Sequence, residues 1–154
     1  LYHPILPVYD SNFYGIIGDV VLSHMQQEKD VWNSVKHCVQ HPQFRQYIKK
    51  EGKLFRSNNR TEDARGRYGA KNCWANVAAD FSGTIFVGWV IVGGIPLPHA
   101  WLVSDQTVIE RTPNFEGEYV YFGVPVDKQE YMRAYNTALT QGKSVLDALS
   151  EYKI

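Results

Sequence analysis

The run Thr84-Ile85-Phe86-Val87-Gly88-Trp89-Val90-Ile91-Val92 constrains the fold more than any other stretch of the chain. β-Branched and aromatic side chains dominate it, and no charge interrupts it. Such a run favours a strand, and its lack of polar alternation favours one covered on both faces. Further β-type segments follow. His99 to Val103 is expected to be the next strand, after a turn through Gly93-Gly94 and Pro96-Leu97-Pro98. Gln106 to Arg111 is another, joined to it by a tight hairpin at Ser104-Asp105. Tyr119 to Val126 is a fourth, preceded by the turn-like Asn114 to Gly117. Short connections between such strands imply an antiparallel sheet.

The segments around this sheet read as helices. Pro4 and Pro7 favour extended backbone over residues 1–10, an arm lying across the domain or a poorly ordered end. Ser11-Asn12 caps a short helix to about Gln27. Asp30 caps another to about Val39, with Val31, Trp32, Val35 and Cys38 or Val39 on its apolar face. Pro42 permits a fresh start, with Phe44, Tyr47 and Ile48 inward and Gly52 as the stop. Lys53 to Ala70 is rich in Ser, Asn, Arg and Gly without periodicity and reads as a long loop. A helix starts at about Asn72 and stops near Gly83. Asp127 caps one more helix, with Tyr131, Ala134, Tyr135 and Leu139 on its core side. Gly142-Lys143-Ser144 breaks it before a final short helix carrying Val145, Leu146 and Leu149. Helices first, one central helix, an antiparallel sheet and two closing helices make an α+β layout. A length of 154 residues fits one domain. Within it lie an N-terminal part (1–52), a basic loop (53–71), a central helix and sheet (72–126) and C-terminal helices (127–154).

Formal net charge is zero, which argues against a global field for nucleic acid or an anionic membrane. The charge is nevertheless uneven. Arg45 to Lys71 holds nine basic residues against three acidic ones. The plain reading is a solvated connection. The functional reading is a docking surface for an acidic partner, with Arg56, Arg60, Arg65 and Arg67 as its contacts. Only Phe55 and Tyr68 interleave aromatics there, so nucleic acid is disfavoured. No apolar run approaches the roughly 20 residues of a membrane span. The N-terminus lacks the basic start and long apolar centre of a secretion signal and has no initiator Met. Cytoplasmic residence and a processed or trimmed start are the resulting expectations.

Two cysteines do not make a disulfide scaffold. Cys38 lies in a predicted helix beside apolar neighbours and is expected to be a small buried hydrophobe. Cys73 is different, because it opens a helix. Thiolate is the nucleophilic form of cysteine, and the unpaired N–H groups of a helix start favour negative charge. The N–H groups around Cys73 and Trp74 are then placed to hold a developing oxyanion.

A thiol nucleophile needs a base, and the base an orienting group. His99 opens a predicted strand downstream. Glu110 ends the strand expected to pair with it and is preferred as the carboxylate. Asp105 is nearer, but it sits in a turn where Asp has its own structural reason. Trp74 and Trp101 are candidate walls of a cleft, and Asn76, one turn past Cys73, is a candidate polar helper. His3, His24, His37 and His41 have no comparable setting. No carboxylate stands at metal-ligand spacing from them, so neither a metal nor another cofactor is expected.

Asn72-Cys73-Trp74-Ala75-Asn76, His99-Ala100-Trp101 and Val108-Ile109-Glu110-Arg111-Thr112-Pro113 together resemble the transglutaminase-like branch of the papain-like cysteine enzymes. Tyr121-Phe122-Gly123-Val124-Pro125 resembles a segment that follows the acid in small bacterial and phage-encoded members. The resemblance covers about residues 70–126. Glu110 stands where Asp is usual, and Arg111 replaces a common Pro. The resemblance implies a papain-like core with a Cys73-His99-Glu110 triad. The activity implied is that of a protease, amidase, deamidase or acyl transferase on a protein, peptide or small acyl compound. The alternative is a non-catalytic binding or inhibitory protein acting through the basic 45–71 surface.

Overall fold

The structure, a computed structural model, describes residues 26–56, 60–62, 72–79, 82–112 and 119–152. The expected N-terminal arm, most of the expected first helix, Arg65 and Arg67 lie outside these residues. The fold is α+β. Residues 26–35 form helix α1, followed by a tight 3-10 turn at Lys36–Cys38. Helix α2 is Pro42–Glu51, β1 is Lys53–Arg56 and β2 is Arg60–Glu62. Helix α3 is Cys73–Ala79, followed by β3 (Thr84–Val92), β4 (Ile95–Ser104), β5 (Thr107–Glu110) and β6 (Tyr119–Val126). Helices α4 (Lys128–Gln141) and α5 (Val145–Tyr152) complete the order.

The strands form one sheet in the order β1-β6-β3-β4-β5-β2. All neighbours are antiparallel except β2 and β5, which are parallel. Strands β1 and β2 fall inside the stretch expected to be a loop. Their local signal is weak because each is short and sits at an edge. Pairing with β6 and β5, far along the chain, is what holds them extended.

A flat six-stranded sheet would put its edge strands about 24 Å apart, from spacings of about 4.8 Å. Arg56 ends one edge strand and Arg60 begins the other, and four residue steps reach no more than about 14 Å. The sheet is therefore strongly curled, its edges brought toward each other. Gly88 and Gly123 face one another across β3 and β6 and make this possible. A Cβ on Gly123 would stand 2.4 Å from the Val87 carbonyl oxygen and 2.8 Å from the Trp101 ring. One on Gly88 would stand 2.2 Å from the Phe122 carbonyl oxygen. Glycine in a strand interior marks such close backbone approach.

The curl gives the sheet two apolar faces. Ile85, Val87 and Trp89 point to the outer face, where helix residues such as Val35, Phe44 and Leu149 join them. Phe86 and Val90 point inward with Trp101, Val108, Tyr119 and Tyr121. Fully burying each large apolar side chain contributes about 1.5–3 kcal/mol. This two-sided burial is the cover that the uninterrupted apolar run of β3 requires.

Several expectations change at element ends. Asp30 does not cap a helix; it lies within α1 and accepts a 2.9 Å hydrogen bond from Gln26 Nε2. The 3-10 turn after residue 35 alters the helical rotation, so Val39 turns inward and Cys38 is exposed rather than buried. Arg45 donates to the Val39 carbonyl from Nε at 3.1 Å and Nη2 at 2.6 Å, which fixes the α1–α2 connection. Strand β4 begins at Ile95, so Pro96-Leu97-Pro98 is strand, and Gly93-Gly94 alone makes the turn. The β4–β5 turn is Asp105-Gln106, both at positive φ, as a two-residue hairpin demands. Asp127 caps α4 by accepting from the Glu130 N–H at 2.8 Å. Leu139 is 66% exposed rather than inward. Tyr131, Ala134 and Ala138 hold the buried stripe, and at about 100° per residue Leu139 is turned roughly 90° from it.

Candidate active site

Asn72 sets the start of α3. Its Oδ1 accepts from the Ala75 N–H at 3.1 Å, and its carbonyl accepts from the Asn76 N–H at 3.0 Å. Both are the bonds of a helix N-cap residue. Cys73 is thus the first helical residue, and it is 5% exposed. The Tyr131 hydroxyl on α4 donates to the Trp74 carbonyl at 2.7 Å and ties the two helices together. Burial first, then the nearby Cys73 and Tyr135, push the Tyr131 phenol well above its ordinary range, so it stays a donor.

Strands β4 and β5 place His99 and Glu110. Val103 pairs with Val108, so residues two apart from each share one face of the sheet. That face carries Trp101 and His99 on β4 and Glu110 on β5. Glu110 is fully buried, and both carboxylate oxygens reach His99 Nε2, Oε1 at 2.9 Å and Oε2 at 3.0 Å. The His99 ring also hydrogen-bonds the Cys73 thiol.

The ionisation of His99 follows from these neighbours. Burial acts first and disfavours the imidazolium. The hydrogen bonds from Cys73 and Glu110, then their charges, outweigh it and raise the imidazole from 6.5 to about 10. Glu110 is also satisfied on its other sides. The Tyr121 hydroxyl donates to Oε1 at 2.7 Å, and the Thr112 N–H donates to Oε2 at 3.1 Å. A buried carboxylate without such partners would be very costly.

The remaining candidates fall into distinct places. Asn76 is fully buried, and its Nδ2 donates to Thr112 Oγ1 at 2.7 Å and to the Arg111 carbonyl at 3.3 Å. Its amide thus links the Cys73 helix to the segment just after Glu110. Trp101 is fully buried and lies parallel to the His99 ring, 17° between planes and 6.1 Å between centroids. It backs the imidazole from within the curl. Trp74 is half-buried against the outer core. Asp105 sits in the exposed hairpin turn. Arg56 is exposed at the end of β1, and Arg60 begins β2 at the opposite edge. Tyr121, Thr112 and Tyr131 also bond into the site, and the sequence marks none of them as a site residue. The chemical clue is that a buried Glu110 demands donors, and an alternating β6 puts Tyr119 and Tyr121 on the inner face.

A cavity of about 710 Å³ opens elsewhere, bounded by Leu54, Phe55, Arg56, Phe86, Val103 and Asp105. None of Cys73, His99 or Glu110 lines it, so size alone is a poor guide to the chemistry here. Among the described residues, no group of three or more His, Cys, Asp or Glu is arranged to hold a metal ion. No described helix is long and apolar enough to cross a membrane. Comparison of the chain with protein-family models, curated proteins and solved structures finds no match in any of the three.

Proposed function

We propose that the protein is a cysteine-dependent enzyme acting on an amide or related acyl bond, in the manner of the transglutaminase-like and papain-like enzymes it resembles. One observation carries the reading: a single buried imidazole bonds the Cys73 thiol and both oxygens of Glu110. Sulfur donates an electron pair to the carbonyl carbon as the thiolate, with His99 holding the proton. The tetrahedral oxyanion lies near the Cys73 and Trp74 N–H groups, which precede the intrahelical bonding pattern. Collapse breaks the C–N bond, and the His99 proton leaves on the amine. Water or a second amine then attacks the thioester, gives its proton to His99 and restores the thiol. Glu110 keeps the ring oriented and offsets its positive charge.

The test is iodoacetamide labelling across pH. Cys38 is exposed and Cys73 buried, so accessibility alone makes Cys38 the faster thiol. The enzyme reading expects Cys73 to label faster than Cys38 near neutral pH and to lose that advantage in His99→Ala. Cys73 labelling no faster than Cys38 sinks it.

The burial of Cys73 favours one competing reading, a non-catalytic binding protein that uses the exposed basic residues of the 45–71 stretch, Arg56 among them. That reading expects Cys73→Ala to retain function and charge reversal at Arg56 or Arg60 to abolish it.

A further inference from the structure

The cavity of about 710 Å³ is bordered by β1 on one side and by the β4–β5 turn on the other. These are not neighbours in the sheet, because β6 and β3 stand between them in its order. The cavity therefore lies across the mouth of the curl, where Thr84 begins β3 and Val103 nears the end of β4. Mouths of curled sheets and barrels are common ligand sites, and pockets for small ligands measure about 300–1,000 Å³.

Phe55 and Phe86 give the cavity an aromatic lining. They meet edge-to-face with 5.1 Å between centroids, and both pack on Trp101, at 6.4 and 6.0 Å. Trp101 in turn lies parallel to His99, so aromatic rings stand between the cavity and the imidazole. Phe55 is only half-buried and keeps apolar area for a ligand to cover. Lys53 and Arg56 flank it along β1, and both are exposed. Among the described residues neither cation has an ion-pair partner. Two acids also border the cavity, Asp105 in the facing turn and Glu28 on α1.

We propose that this cavity binds a planar aromatic monocarboxylate, its ring against Phe55 and Phe86 and its acid beside Lys53 and Arg56. A carboxylate there gains Coulombic attraction without breaking an existing ion pair. A flat ring packed on other rings gains more than its buried area alone provides. Asp105 on the facing wall repels a second acid and so limits the ligand to one. The proposal is independent of Cys73 as a nucleophile.

The test is calorimetric titration of the full chain with 2-naphthoate at low salt, with nuclear Overhauser contacts locating the bound ring. Saturation is expected at about 1 mM or below, the affinity of a ligand of this size at ordinary efficiency. The naphthyl protons should contact the Phe55 and Phe86 rings. Decahydro-2-naphthoate, the saturated analogue, should bind about two- to tenfold more weakly because it loses the ring contacts. Lys53→Gln and Arg56→Gln should each weaken 2-naphthoate by about two- to fivefold, as expected of an exposed charge pair. Neither should change binding of the neutral 2-naphthalenemethanol, and Lys49→Gln, at an exposed lysine outside the cavity, should change neither ligand. Naphthalene-2,6-dicarboxylate should bind more weakly than 2-naphthoate in wild type and recover in Asp105→Asn. Absence of saturable 2-naphthoate binding overturns the site, as do contacts to rings other than Phe55 and Phe86. Equal binding of the acid and the alcohol, or of the aromatic and saturated acids, overturns the ligand class. An acid affinity untouched by both β1 variants does the same.

Discussion

Tyr121 donates a 2.7 Å hydrogen bond to Oε1 of Glu110, the same oxygen that lies 2.9 Å from His99 Nε2. Strand β6 thereby holds the carboxylate that bonds the imidazole on β4. In Tyr121→Phe the ring keeps its packing against Trp101 and His99, and only the donor is lost. Stability should fall by about 1–3 kcal/mol, the usual cost of leaving a buried acceptor short of a partner. Urea unfolding should show a lower midpoint with an unchanged slope. An unchanged midpoint would mean that Glu110 does not depend on this bond.

The raised imidazole makes stability pH-dependent with a definite sign. His99 binds its proton more tightly when folded, at about 10, than when unfolded, at 6.5. Its contribution is fully present below pH 6.5, declines above that, and is lost as pH rises through about 10. The stability difference between wild type and His99→Gln, followed from pH 6 to 10.5, should therefore shrink toward high pH. A difference that grows over that window contradicts the ion-paired site.

Asn76→Ala removes the amide that links α3 to Thr112 and the Arg111 carbonyl. A destabilisation of about 1–3 kcal/mol is expected from the stranded acceptors. The Cys73 labelling rate should fall in the folded protein as the helix start loosens relative to Glu110. A variant that loses stability but keeps the full labelling rate would confine Asn76 to packing.

Gly123→Ala tests the curl. The added methyl meets the Val87 carbonyl and the Trp101 ring at distances real Cβ atoms do not tolerate. Overpacking of this kind typically costs about 1–3 kcal/mol. Thermal unfolding should move down by several degrees, with near-ultraviolet circular dichroism reporting a displaced Trp101. Cys38→Ser, at an exposed site, should stay within about 0.5 kcal/mol of wild type.

Much of this arrangement is readable from short-range pattern. Thr84–Val92 and Tyr119–Val126 declare themselves as strands, and Asp127 announces α4. Cys73, His99 and Glu110 stand out because helix-start thiol, strand histidine and following acid form a chemical order. What escapes is set by distant partners. The segment Lys-Leu-Phe-Arg at 53–56 has no strand signal until β6 lies beside it. Pro96 and Pro98 read as a turn because sequence does not show that their strand has an open edge. Tyr121 looks like any core tyrosine until a carboxylate is found against its hydroxyl.

The strand order has a consequence for how the molecule is made. Sheet partners of residues 53–62 lie at 108–110 and 120–123, so the early strands emerge from synthesis long before anything can pair with them. The last strand of the sheet, β6, is its second member in space and bridges β1 to β3. A nascent chain halted before residue 119 would carry Cys73, His99 and Glu110 without the strand whose Tyr121 donates to the carboxylate. Completion of the Glu110 environment thus waits on a strand that follows it in the chain by nine residues or more.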